Sequence, residues 1–179
     1  DDLRGMTSNP AIFEKAIAQG REYDAEIQAI LARGERDPPA AYEAVAVADI
    51  RQAADLLAAV YRRTHTQDGY VSLEVSPELA HDAPGTLAEA RRLWQEVDRP
   101  NLMIKVPGTR TCLPVIRTLL AEGINVNITL LFAREAYSLV AEAYLAALEE
   151  RLAKGMPVDR VASVASFFIS RIDTLVDKR

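Results

Sequence analysis

Cysteine is almost absent from this sequence. Cys112 is the only one among 179 residues, so an intrachain disulfide is impossible and a cysteine zinc cluster is excluded. Histidine is nearly as scarce. His65 and His81 lack metal-ligand spacing and read as surface residues, and no bound metal is expected. Positive charge is in deficit, with 21 Lys and Arg against 26 Asp and Glu and a formal net charge of -5. Without a basic run to offset it, that balance argues against nucleic acid as a partner. No apolar run reaches the roughly 18 residues that a membrane span needs. No signal peptide is visible, so a cytoplasmic location is expected. No Gly-x-Gly-x-x-Gly loop follows the first strand, so a dinucleotide fold has no support.

What remains is an ordinary globular balance, 49% hydrophobic and 26% charged, on a length that suits one sizeable domain over residues 1–179. The stretch Asn101–Thr109 stands out. Leu102, Met103, Ile104 and Val106 form a short apolar run that Pro107 and Gly108 terminate. Such a run reads as a strand buried on both faces of a parallel sheet. Lys105 sits in its middle, and lysine is seldom buried without a partner. A neutral amine in a dry pocket attacks a carbonyl to form a Schiff base. The alternative is a lysine that snorkels to water or pairs with a carboxylate.

The other segments alternate between strand and helix. Leu3–Thr7 is a strand candidate, and Ser8 or Asn9 caps a helix that Pro10 opens. Glu22–Leu31 and Ala40–Thr64 follow as amphipathic helices, the second with Ile50, Ala54 and Leu57 on its stripe. Tyr70–Val75 alternates, with Ser72 and Glu74 on one face. Thr86 with Glu89 has the spacing of a capping box for a helix that runs to Asp98. Leu113–Ala121 is a short helix ended by Gly123. Ile124–Leu131 is a strand with Asn125, Asn127 and Thr129 on one face and Ile124, Val126, Ile128 and Leu130 on the other. Arg134–Ala153 is a helix with Tyr137, Val140, Ala141, Tyr144 and Leu148 as its stripe. Val161–Ile169 is a fifth strand, followed by Arg171 and Asp173. This alternation predicts a parallel α/β architecture. An open doubly wound sheet would hold five strands, whereas polar residues inside strands favour the interior of a (β/α)8 TIM barrel.

Five motifs carry a resemblance. Met6–Phe13 (MTSNPAIF), Val71–Pro77 (VSLEVSP), Met103–Pro107 (MIKVP), Asn125–Phe132 (NVNITLLF) and Ser166–Asp173 (SFFISRID) resemble the strand motifs of transaldolases. The likeness is greatest to transaldolases found alone or fused to a phosphoglucose isomerase, and it covers nearly the whole chain. It implies a (β/α)8 barrel of which this chain holds about strands two to six. It implies transfer of a dihydroxyacetone unit between sugar phosphates in the pentose phosphate pathway, through a lysine Schiff base, without metal or cofactor. Free release of dihydroxyacetone by a Schiff-base aldolase and an inactive barrel fragment are the alternatives.

By the same resemblance, Lys105 is the Schiff-base lysine and Glu74 acts through a water on the carbinolamine. Thr129 holds that water. Asn9 and Asn127 contact the dihydroxyacetone hydroxyls, and Ser166 and Arg171 line the pocket and hold the phosphate. The sequence departs from the family pattern in four places. The family's catalytic aspartate lies on strand one, and neither Asp1 nor Asp2 stands at its position. Strands seven and eight, with a second phosphate-binding arginine, have no counterpart. Thr111-Cys112 replaces Glu-Gly, and Ala133 replaces a capping serine. A polypeptide limited to these 179 residues is therefore expected to lack turnover.

Overall fold

The computed structural model describes residues 3–178, so Asp1 and Asp2 lie outside the described residues. Backbone contacts divide the chain into two compact units, Asp1–Glu74 with Leu93–Leu102, and Val75–Arg92 with Met103–Arg179.

The first unit begins with β1 (Gly5–Thr7), α1 (Pro10–Gln19), α2 (Asp24–Ala32), α3 (Pro38–Arg63) and β2 (Tyr70–Glu74). β1 pairs in parallel with β2, Gly5 opposite Tyr70 and Thr7 opposite Ser72. β1 is shorter than the predicted Leu3–Thr7. Leu3 stays exposed, and Arg4 turns to the carboxylate of Asp68 at 2.6 Å. Asp37 caps α3, accepting from the Ala40 N–H at 3.3 Å, and Pro38 and Pro39 occupy the first helical positions. Proline belongs there, because its missing N–H would have had no partner. α3 buries Val45, Ala46, Val47, Ile50, Ala54 and Leu57, and burying one such large aliphatic side chain contributes about 1.5–3 kcal/mol. Two devices join α3 to the sheet. Buried Asn101 donates its amide to the carbonyls of Ala54 and Gly69, at 2.9 and 2.8 Å. Gly69 has φ 87°, and a Cβ there would stand 2.5 Å from the backbone nitrogen of Tyr61. Only glycine fits that crossing.

The second unit carries β3 (Leu102–Pro107) from Met103 on, β4 (Val126–Leu131) and β5 (Ser163–Phe167), with α4 (Ala83–Val97) as far as Arg92, α5 (Leu113–Glu122), α6 (Arg134–Ala153) and α7 (Ser170–Asp177). β3, β4 and β5 are parallel neighbours. Every residue of β3 is buried, as expected of an inner strand covered on both faces. α6 occupies the predicted span, and Gly123, with φ 91°, closes α5. Among the described residues, no helix is long and apolar enough to cross a membrane.

The strand order is β1-β2-β3-β4-β5, the order of the chain. A doubly wound sheet reverses direction and places an early strand inside. Strands added in one direction by right-handed crossovers put all helices on one face. That is the arrangement of a (β/α)8 barrel, whose other sheet face is the interior, and it decides between the two predicted architectures.

Several local expectations are corrected. α4 starts at Ala83, and Thr86 is not its cap. Asp82 caps it, accepting from the Gly85 N–H at 3.0 Å. The Thr86 hydroxyl donates to the carbonyls of Leu79 and Asp82, and Glu89 accepts from the N–H of Ser76 instead of closing a capping box. β4 starts at Val126 and does not alternate to its end. Leu130 adopts φ 61°, and the β4–β5 register shifts between Ile128 and Leu131. Leu130 consequently faces outward and Leu131 takes the buried position. β5 is shorter than Val161–Ile169. Tyr137, predicted on the α6 stripe, is exposed, and that stripe buries Val140, Ala147 and Arg151.

Candidate active site

Lys105 retains only 7% of its accessible surface. Its neighbours Ile104 and Val106 are fully buried, and the pleat turns Lys105 to the sheet face opposite theirs. On β4, Asn127 stands in register with Lys105 and Thr129 with Pro107. Residues in register across a parallel pair share a face, so Lys105, Asn127 and Thr129 line one buried polar strip. The Ser166 hydroxyl donates to Asn127 Oδ1 at 2.7 Å. That bond draws β5 into the strip and fixes the amide with its acceptor toward β5. The end of β3 closes tightly on β4, with the Gly108 N–H donating to the Thr129 carbonyl at 2.7 Å. Asn125, expected on the same strip, serves the fold, its Oδ1 accepting from the Ala162 N–H at the entry to β5.

The first unit holds Glu74 and Asn9. Glu74 ends β2, half-buried, on the face that carries Ser72. Ser8 is buried and donates both its hydroxyl and its N–H to the carbonyl of Ser72, at 2.8 and 3.3 Å. That grip seats the start of α1 at the end of β2. Asn9 then caps α1, its Oδ1 accepting from the Ile12 N–H at 2.9 Å. Of the two residues expected to cap α1, Ser8 or Asn9, it is Asn9 that does so. Tyr42 on α3 is a residue that the sequence pattern did not single out. Burial, and then the negative charge of Glu74, push its phenol above the ordinary range. Phe13, from the Met6–Phe13 motif, packs edge-on against Tyr42 with centroids 6.0 Å apart. Helical periodicity marks Tyr42 only as a residue of α3, so nothing in the spacing tied it to Glu74.

Arg171 lies beyond β5, exposed, in the first turn of α7, with its guanidinium 4.7 Å from the ring centroid of Phe168. Among the described residues, no group of three His, Cys, Asp or Glu side chains could hold a metal ion.

A lysine buried in an inner strand beside an asparagine and a threonine is an uncommon arrangement, and comparison with known proteins gives it a family. Residues 1–179 match the family described as Transaldolase/Fructose-6-phosphate aldolase. The chain belongs to that family. It is 54% identical over 172 residues to "Transaldolase 2" of Nostoc punctiforme, covering 96% of this chain and 45% of the relative. It is 51% identical over 175 residues to the "Transaldolase" of Saccharopolyspora erythraea and 52% identical over 175 to that of Thermobifida fusca, in each case 98% of this chain and 47% of the relative. The chain thus spans about half the length of the curated relatives it matches.

Two departures from the transaldolase pattern have visible consequences. Ala133 stands at the N-cap of α6 in extended conformation and offers no side-chain acceptor to the helix. At Thr111-Cys112, the preceding Thr109 takes over the turn, its Oγ1 accepting from the Cys112 N–H at 3.3 Å and donating to the Ala80 carbonyl at 3.1 Å. Cys112 is buried there with its thiol 3.7 Å from the same carbonyl.

Proposed function

We propose that this chain carries the imine-forming part of a transaldolase that moves a dihydroxyacetone unit between sugar phosphates. The observation that carries the reading is Lys105, buried in β3, with Asn127 in register beside it and Thr129 one step along the same face. The amine attacks the ketose carbonyl and forms a carbinolamine. Glu74 passes a proton through a water held at Thr129, and loss of water gives the imine. Asn9 and Asn127 orient the donor by hydrogen bonds to its hydroxyls. The C–C bond then breaks as a base takes the proton of the hydroxyl on the departing fragment, leaving an enamine on Lys105. That base is the family's aspartate, expected on the strand that precedes β1. An aldose phosphate accepts the enamine carbon, and hydrolysis of the new imine releases the product ketose. Ser166 and Arg171 serve the phosphate, whose oxygens a guanidinium can pair two at a time. The setting is the pentose phosphate pathway of the cytoplasm.

The test is product analysis with the protein that carries this chain in full. Fructose 6-phosphate and erythrose 4-phosphate should give sedoheptulose 7-phosphate and glyceraldehyde 3-phosphate in equal amounts. Release of free dihydroxyacetone at the same rate as glyceraldehyde 3-phosphate would make the protein an aldolase. No turnover would overturn the assignment.

A further inference from the structure

Phe132 follows β4 directly and Phe168 follows β5. Their rings are stacked, with centroids 5.0 Å apart and planes within 16°. The irregular end of β4 brings them together. The register shift returns Leu131 to the core and turns the next side chain outward, leaving Phe132 43% exposed. The Phe168 N–H donates to the Leu131 carbonyl at 2.8 Å, which holds the residue after β5 beside the end of β4. Leu130 keeps an unfavourable positive φ to make this path, and bulges of this kind re-aim side chains near functional sites. Arg171 follows Phe168 by three residues, and its guanidinium lies over the same ring. An aromatic face attracts a guanidinium and keeps it flat, while the N–H edge stays able to pair with oxygens.

We propose that Phe132 is a positioning residue for Arg171. By stacking on Phe168 it fixes the ring on which the guanidinium rests, and so sets the geometry with which Arg171 meets a phosphate. The proposal rests on the reading of Arg171 as a phosphate contact, and the experiment separates the two.

In the protein that carries this chain in full, KM is measured for glyceraldehyde 3-phosphate and for unphosphorylated glyceraldehyde as acceptors. Arg171→Ala tests the underlying reading, which requires a rise in KM confined to the phosphorylated acceptor. Phe132→Leu should raise that KM by about two- to fivefold, the range of a guanidinium–aromatic contact at an exposed site. It should leave kcat and the KM for glyceraldehyde nearly unchanged. Phe132→Tyr keeps an aromatic face and should stay near wild type. Because Phe132 is half exposed, the leucine variant opens no core cavity, and Phe132→Met replaces it should it fail to fold. A selective effect of Arg171→Ala with no effect of Phe132→Leu overturns the proposal and leaves the reading of Arg171 intact. Equal losses for both acceptors in Phe132→Leu also overturn it. An unselective Arg171→Ala overturns the reading and the proposal together.

Discussion

Arg151 offers a direct test of how the second unit seats β5. It lies on α6, 6% exposed. Its Nη1 donates to the Ala121 carbonyl in the last turn of α5 at 2.9 Å, and its Nε donates to the Pro157 carbonyl at 2.8 Å. One side chain thus ties the ends of two helices to the segment that leads into β5 and Ser166. The flat guanidinium also rests against Gly123, where a Cβ would stand 3.0 Å from Nη1. Arg151→Met keeps most of the stem and removes both donors. The buried Ala121 carbonyl left without its donor costs about 1–3 kcal/mol. The Pro157 carbonyl belongs to an exposed residue that water can reach, so its loss adds less, and the apolar methionine recovers part of the total through burial. The expected destabilisation is about 2 kcal/mol. Chemical denaturation followed by far-ultraviolet circular dichroism reads it as a lower midpoint at unchanged slope. Arg151→Lys, whose ammonium is a compact charge without the planar fork, should recover less than half of the loss. A loss in Arg151→Met within about 0.5 kcal/mol, the range of an ordinary surface change, would refute this account of Arg151.

Two further outcomes follow from named contacts. The phenol of Tyr23 is pushed up to about 12, mainly by its hydrogen bond to Asp49 at 2.7 Å, and that of Tyr70 to about 12, mainly by burial. Both hold their protons more tightly folded than unfolded, so the stability they contribute is present in full below pH about 10 and is lost as pH rises toward about 12. An alkaline absorbance titration of the folded protein should show Tyr23 and Tyr70 ionising late, with Tyr42 also raised above the ordinary range, and one fewer late tyrosine in Tyr23→Phe; ionisation of all six near pH 10 would contradict it. Ala133→Ser adds an acceptor at the N-cap of α6, whose backbone is already extended, and should raise stability by about 1 kcal/mol on chemical denaturation; an unchanged midpoint would show that this end of the helix has no need of a side-chain cap.

The sequence made some parts of this structure legible for physical reasons. β3 and α6 announce themselves because Pro107 and Gly108 stop the apolar run of β3 and Gly155 follows the helical pattern of α6, so local punctuation sets their limits. Asn127 and Lys105 could be placed on strands, since period two assigns faces wherever a strand is regular. Leu130 breaks that assumption, and with it the expected face, because the bulge depends on the pairing of β4 with β5. Thr86 and Glu89 show the same limit. Their spacing fits a capping box, but both side chains answer to the turn before the helix, to Leu79, Asp82 and Ser76. Arg151 and Asn101 read as surface residues by type, yet both are buried against carbonyls far away in sequence. Tyr42 comes near Glu74 only once α3 has packed, and the resemblance to transaldolases assigned it no role.

Reductive trapping at Lys105 tests the central claim most directly. The protein that carries this chain in full is incubated with fructose 6-phosphate, reduced with borohydride, digested and mapped by mass spectrometry. An imine formed at the buried amine of β3 predicts a single stable adduct on Lys105, absent from Lys105→Ala. An adduct on any other lysine, or one that survives Lys105→Ala, would contradict it.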